Sequence, residues 1–373
     1  MSMASTSVPF ADLYQQYLNL KPEMDAAIAS VIANSSFIRG PHVDAFEKSF
    51  AAAIGTQHCV SAGNGTDTLY IAMHSLGLKP GDEVIVPAMS WISTSETVTQ
   101  AGGKVVFCDI DPLSYTIDTK QIESKITSRT VGIIPVHLYG QPAEMDSIMA
   151  IAAKHKLWVI EDCAQAHLAI YKGRTVGTMG VAGSFSFYPG KNLGAMGDAG
   201  ALVTDDAALA RRMAMFARHG GIVKGDHEIE GINSRLDGLQ AAILNVKLPH
   251  LAAWTKKRQQ IAQRYLSELH GLPHLQLPHP SAQTEHVYHL FSVCHPNRDA
   301  LAQALKAKSI QTAINYPRAM PFLPCYAHHN AKPQDYPNAH RLQSQTLSLP
   351  IFAEMTDHQF EVVIAAIKKY TLS

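Results

Sequence analysis

The chain has 373 residues, 46% of them hydrophobic, with 31 Lys+Arg balanced by 31 Asp+Glu. That composition supports a full globular core and argues against disorder, while the zero net charge gives no field that would draw nucleic acid or an anionic membrane. No stretch approaches the ~20 apolar residues of a membrane span. The start, Met1-Ser-Met-Ala-Ser-Thr-Ser7, lacks the charged and apolar regions of a signal peptide, so a soluble, cytoplasmic protein is expected. Cys59, Cys108, Cys163, Cys294 and Cys325 are scattered without a CxxC pair, and their odd number argues against a disulfide framework.

The length is long for one core and predicts a large domain over 1–250, including the N-terminal segment, and a smaller α+β domain over 251–373. Short β-branched runs at 58–62, 83–87, 105–109, 131–136, 157–161, 183–188 and 199–204 read as strands. Stretches with helical spacing lie between several of them, at 66–76, 143–155 and 207–218. Strand–helix alternation with nearly all-apolar strands predicts a mainly parallel seven-stranded sheet covered by helices on both faces. A further helix is expected over 236–248, and Pro249 with Lys256-Lys257-Arg258 marks the passage into a long one, whose basic cluster reads as a solvated face. The rest, from about 275, mixes Pro-rich loops with short strand and helix patterns.

Ligands of such sheets sit off the strand ends, and the polar clusters fall there. Ala62-Gly-Asn-Gly-Thr66 follows a strand and opens a helix, so its amides can meet a phosphate at a helix N-terminus. The same run also suits a plain turn, with Thr66 as an N-cap. Trp91 follows the 83–87 strand at the same sheet edge and reads either as a ring to stack on a ligand or as a core tryptophan. Ser186 alternates with Phe185 and Phe187, which turns its hydroxyl to the face opposite the rings. That hydroxyl is a phosphate ligand or a merely satisfied one.

Two residues point to covalent chemistry. Lys191 ends Ser184-Phe-Ser-Phe-Tyr-Pro-Gly-Lys191, a β-rich run that stops at Pro189-Gly190 and presents one amine. Upstream, Trp158-Val-Ile-Glu-Asp162 is an apolar strand ending in a carboxylate. A lysine able to form a Schiff base and a carboxylate that keeps a pyridine nitrogen protonated are what pyridoxal 5'-phosphate (PLP) chemistry requires. No HExxH or Cys/His spacing accompanies the 19 histidines, His328-His329 included, so no metal is expected.

These motifs carry a resemblance. Gly63-Asn-Gly-Thr-Asp67, Gly81-Asp-Glu-Val-Ile-Val-Pro87, Pro135-Val-His-Leu-Tyr-Gly140, Glu161-Asp-Cys-Ala-Gln-Ala-His167, Phe185-Ser-Phe-Tyr-Pro-Gly-Lys191, Asn233-Ser-Arg-Leu-Asp237 and Leu347-Ser-Leu-Pro350 resemble the DegT/DnrJ/EryC1/StrS sugar-nucleotide aminotransferases, of the aspartate-aminotransferase (fold type I) superfamily. The resemblance implies that Lys191 carries PLP and shuttles the proton, that Asp162 bonds the pyridine nitrogen and Gln165 the ring hydroxyl oxygen. It further implies that Gly65, Thr66 and Ser186 hold the phosphate and that Trp91 stacks on the ring. Asn233 would reach the phosphate of the neighbouring subunit in a homodimer with shared active sites; by pattern alone, Asn233 and Arg235 are expected to open a helix.

Lys191 stands where the family's 3-dehydratase branch carries histidine, so the resemblance implies amino transfer from L-glutamate, released as 2-oxoglutarate, to a nucleotide-linked keto sugar. Lys191-Asn-Leu-Gly194 with Met196-Gly-Asp198 is similar to the branch that aminates dTDP-linked 3-keto-6-deoxy sugars. A 4-keto substrate, a PLP-dependent dehydratase and a non-catalytic nucleotide-sugar sensor are the alternatives. Two departures bear on the substrate pocket: Leu168 where relatives usually have glycine, and Pro321 where they carry the histidine of a Tyr-Pro-x-x-x-His segment.

Overall fold

The computed structural model describes residues 7–372. Its centre is a seven-stranded sheet of β1 (His58–Ala62), β2 (Glu83–Pro87), β3 (Lys104–Cys108), β4 (Thr130–Ile133), β5 (Trp158–Asp162), β6 (Ala182–Ser186) and β7 (Gly200–Thr204), in the order β1-β7-β6-β5-β4-β2-β3. Strands β6, β5, β4, β2 and β3 run parallel, and β7 lies antiparallel to both β6 and β1. The mainly parallel sheet expected from the sequence is thus present. The expected run at 131–136 is cut short: the ladder ends at Ile133, and Val136 makes only a bridge to Asp162.

Helices α1 (Pro41–Ile54), α2 (Gly65–Ser75), α3 (Ser93–Gln100), α4 (Met145–His155), α5 (Ala207–Ala217) and α6 (Gly238–Lys247) accompany the sheet. Buried side chains form separate apolar clusters on its two faces, as sheets covered on both sides require. One is anchored by rings: Phe50 meets Phe185 and Phe187 edge-on at 5.1 Å each, and Phe46 meets Phe187 at 5.2 Å. This packing fixes the pleat of β6 and sends Ser186 to the other face.

Beyond α7 (Leu251–Glu268) the chain builds a second core around a two-stranded antiparallel sheet, β8 (Phe291–Cys294) with β9 (Thr346–Leu349), and helices α8 (Arg298–Lys306) and α9 (Asp357–Thr371). Val8 packs into that core and bridges Ile310. Within α7 the basic cluster divides. Lys256 and Lys257 are exposed, whereas Arg258 is buried and donates to the carbonyls of Tyr288 at 3.2 Å and Ile351 at 2.8 Å. The expected solvated face therefore fails at Arg258, because its place on the helix turns it into the seam between the two cores. No helix of the described residues is long and apolar enough to cross a membrane.

One buried carboxylate ties the centre of the sheet together. Glu161, fully buried in β5, accepts from the amides of Gly177 at 2.8 Å, Met179 at 2.7 Å and Gly180 at 2.7 Å, and lies 3.1 Å from Nε2 of His137. The Ala143 amide donates to His137 Nδ1 at 3.0 Å, so Nε2 carries the proton and donates to Glu161. Burial opposes the charge, yet His137 and the amides hold the carboxyl below its usual value. Its stabilising contribution is therefore full above the unfolded carboxylate value and is lost as pH falls through the lower folded one. Glu161→Gln is expected to lose about 2 kcal/mol, since an amide NH₂ must face an N–H donor; a chemical-denaturation midpoint unchanged from wild type would contradict this.

Candidate active site

A cavity of about 450 Å³ opens off the strand ends, lined by Asn64, Gly65, Thr66, Trp91, Asp162, Gln165, Ser186, Lys191, Asp198 and Tyr316 among others. Seven of the eight expected site residues therefore meet in one place. The eighth, Asn233, is elsewhere: it is exposed, bridges Arg218, and accepts from Arg235 Nε at 3.0 Å. Asn233 and Arg235 do not open a helix as expected, since α6 starts only at Gly238 after an extended run.

Lys191 owes its position to a closed turn. The Lys191 amide donates to Tyr188 O at 2.8 Å, and the Ala195 amide returns to Phe187 O at 2.8 Å, closing the loop. Gly194 packs so tightly under this turn that a Cβ there would lie 2.2 Å from Pro189 O. The buried Lys247 of α6 donates to Gly194 O at 2.7 Å. Burial lowers the Lys191 amine to about 8, against the opposing pull of Asp162.

Asp162 is buried at the end of β5. Its Oδ1 accepts from the Ala164 amide at 3.2 Å and its Oδ2 from the Thr94 hydroxyl at 2.9 Å. Burial raises its carboxyl above the ordinary value, while these donors and Lys191 oppose the rise. Asp162 thus stands as a desolvated acceptor short of a cation.

The phosphate-like cradle is built by β1 and α2. Asn64, not Thr66, caps the helix, accepting from the Asp67 amide at 2.8 Å. Thr66 Oγ1 instead lies 2.7 Å from Ser93 Oγ on α3. A Cβ on Gly65 would meet Ser186 Cβ at 2.5 Å, so glycine is what lets the helix N-terminus close on Ser186. The Ser186 hydroxyl accepts from the Tyr188 amide at 3.3 Å on the cavity side, as the pleat predicts.

Trp91 is 58% exposed, which excludes the core reading, and its ring lies 5.5 Å from that of Tyr316. Gln165 is engaged on both sides: its Oε1 accepts from the Tyr139 amide at 2.6 Å and its Nε2 donates to the Tyr316 hydroxyl at 2.8 Å. Tyr316, Asp198 and Thr94 were not among the residues read from sequence as site residues. The first two stood in recognisable motifs without a role, and Thr94 carried no signal beyond its place after Trp91.

Leu168 adopts φ +63°, which explains why glycine suits this position and leucine strains it. His137, Glu161 and Cys163 place ligand atoms within 4.8 Å of one another. Both ring nitrogens of His137 and both oxygens of Glu161 already have protein partners, however, so the trio reads as a structural clamp.

Residues 19–368 match the DegT/DnrJ/EryC1/StrS aminotransferase family. The chain belongs to this family. It is 42% identical to the dTDP-3-amino-3,4,6-trideoxy-alpha-D-glucose transaminase of Streptomyces venezuelae over 363 residues, which cover 97% of this chain and 96% of that one. It is also 42% identical, over 98% of each chain, to the UDP-N-acetyl-3-dehydro-alpha-D-glucosamine 3-aminotransferase of Acidithiobacillus ferrooxidans. The crystal structure of DesV from S. venezuelae superposes with a TM-score of 0.96 at 42% identity, covering 98% of this chain and 99% of that chain. The protein is accordingly an aminotransferase of a PLP-dependent family.

Two outcomes are expected. Gly65→Ala should weaken cofactor binding by about tenfold or more, because the methyl group displaces Ser186; an unchanged absorbance titration would contradict the cradle. The cofactor-free protein should capture the PLP aldehyde at a rate that rises with pH to a midpoint near 8 and then levels, since only the neutral amine attacks. An exposed lysine would level only near ~10.4, and stopped-flow absorbance separates the two.

Proposed function

We propose that this aminotransferase moves an amino group from L-glutamate to a nucleotide-linked keto sugar, the substrate being a dTDP-linked 3-keto-6-deoxyhexose and the product its 3-amino sugar. The observation that carries the reading is the convergence of Lys191 and Asp162 on one cavity that also holds a helix N-terminus and Ser186. The two relatives named above act on sugar nucleotides at C3, one dTDP-linked and one UDP-linked, which supports the regiochemistry and leaves the nucleotide to experiment.

The residues fit PLP by their chemistry. Gly65, Thr66 and Ser186 would hold the phosphate at the α2 N-terminus, Trp91 would stack on the ring and Gln165 would face its hydroxyl oxygen. When bound, PLP supplies an electron sink for a carbon that has lost its proton. Lys191, whose amine burial brings down to about 8, would carry the proton between donor and acceptor positions. In a protonated ring nitrogen Asp162 would gain the ion-pair partner that its desolvated carboxylate lacks.

We further propose a homodimer in which Asn233 of each chain completes the other's phosphate site. The segments that pair with the Asn233 run or its neighbours carry exposed apolar residues: Phe37 and Ile38 (49% and 52% exposed), and Ile222, Val223 and Ile229 (44%, 66% and 43%). Backbone pairings link these stretches: Gly238 N to Phe37 O, Arg218 with Asn233, and Ile229 N to Gly220 O. Exposed apolar residues on linked segments are what a partner subunit would cover. The five free cysteines fit a cytoplasmic, reducing setting.

The test is a pair of half-reactions. Glutamate should bleach the yellow protein with release of 2-oxoglutarate. Lys191→Ala should abolish turnover, and Asp162→Asn should slow the glutamate step by orders of magnitude. An unchanged spectrum would favour a dehydratase or a nucleotide-sugar sensor. A pocket that places a C3 carbonyl should disfavour the 4-keto isomer by up to ~100-fold in kcat/KM, since a misplacement of ~1 Å has that cost. A faster 4-keto sugar would refute the regiochemistry and leave the transaminase reading intact.

A further inference from the structure

Behind the wall that carries Lys191, residues 286–290 lie in a seam held from two sides. On the sheet side, the Val287 amide donates to Gly140 O at 3.1 Å and the Leu290 amide to Tyr139 O at 3.2 Å. Gly140 sits at φ +99°, and a Cβ there would meet Val287 Cγ2 at 2.9 Å and the His289 amide at 3.0 Å. Glycine therefore permits a backbone approach that any side chain would block. From the opposite side comes Arg258, buried in the seam, whose guanidinium donates to the carbonyls of Tyr288 and Ile351. A buried cation is costly unless its donors are satisfied, and these carbonyls satisfy it by holding the segment in place.

Onto this fixed segment docks Asn192, the buried residue next to Lys191. Its Nδ2 donates to Val287 O at 3.1 Å, and its Oδ1 lies 3.3 Å from His289 Nδ1. Because the amide nitrogen is used on a carbonyl, the oxygen faces the imidazole, and His289 Nδ1 must carry the proton it donates. Burial, helped by the charge of Lys191, holds His289 well below the usual histidine value, so the ring stays neutral.

We infer that His289 and Asn192 form the joint through which the C-terminal part of the chain fixes Lys191, with His289 acting as a positioning residue outside the cavity. The turn at 189–194 closes on itself but is short, and its tip must keep an amine half-dry. Titratable groups that feel that amine come from several elements, Asp162 from β5, His167 from the turn after it and His289 from the seam, while Asp198 and Tyr316 also line the cavity. Cutting the joint frees the tip to take up water, and hydration favours the ammonium form. The inference rests on Lys191 being the reactive amine and does not depend on the sugar.

The experiment uses the cofactor-free full chain and an amine-reactive trinitrophenyl reagent, with the labelled lysine located by peptide mass spectrometry across pH. Wild-type Lys191 should label with a midpoint near pH 8. In His289→Phe the midpoint should rise, and labelling at pH 7 should fall by about tenfold for every pH step of one that the midpoint climbs. His289→Gln, whose amide can still donate to Asn192, should restore most of the wild-type profile. Asn192→Leu, of similar size and without hydrogen bonds, should move the midpoint as His289→Phe does, and it carries the test if the phenylalanine variant does not fold. Lower thermal stability with an unmoved Lys191 profile, or equally displaced profiles in the Phe and Gln variants, would overturn the joint. Burial lowers Lys247 to about 8 as well, and its own peptide tells it apart; a Lys191 midpoint at the ordinary lysine value of ~10.4 would overturn the assignment of Lys191 itself, which separates the two failures.

Discussion

An amine that is to act as a nucleophile near neutral pH must first be deprived of water, and the burial of the Lys191 amine meets that requirement. The side chain stands on a turn that closes between Phe187 and Ala195 and is held from below by Lys247. Dehydration, against the opposing pull of Asp162, brings the amine down to about 8. The ring cluster of Phe46, Phe50, Phe185 and Phe187 holds the strand that delivers the turn. The cavity wall that bears Lys191 thus depends in part on packing on the other face of the sheet.

Glu161 and Asp162 show how one strand gives adjacent carboxylates opposite characters. Successive residues of a strand point to opposite faces. Glu161 enters a ring of donors that keeps it charged below its ordinary value, and it acts as a clamp. Asp162 faces the cavity with fewer donors, and burial raises its carboxyl. Among the described residues its charged form makes no ion pair, which is the condition a protonated pyridine ring would meet. Identity of residue does not separate the two; the number of N–H groups within reach does.

The seam between the two cores supplies a different kind of constraint. Gly140, Arg258 and the 286–290 segment meet there because a left-handed glycine allows a close backbone approach and a buried guanidinium gathers carbonyl oxygens. Tyr316 crosses the same region to reach both Gln165 and Trp91. Parts of the cavity wall are therefore set by residues far along the chain from the cradle.

The sequence by itself determined the sheet, because apolar strands separated by helical patterns admit few arrangements, and it placed Lys191, Asp162, Gly65 and Ser186 at the strand ends and turns that meet in one cavity. The pleat of Phe185-Ser186-Phe187 was readable for the same reason: a period of two is local. Only the tertiary structure decided what depends on distant partners. Arg258 belongs to a basic run that looks solvated until the seam surrounds it with carbonyls, and Asn64 rather than Thr66 proves to be the cap. Thr94 gains its role solely by meeting Asp162 across the sheet, and Asn233 stands away from the cavity on a surface whose apolar neighbours are exposed. Local periodicity and turn chemistry are written in consecutive residues, whereas desolvation and hydrogen-bond partnership arise only when separate segments close around the same space.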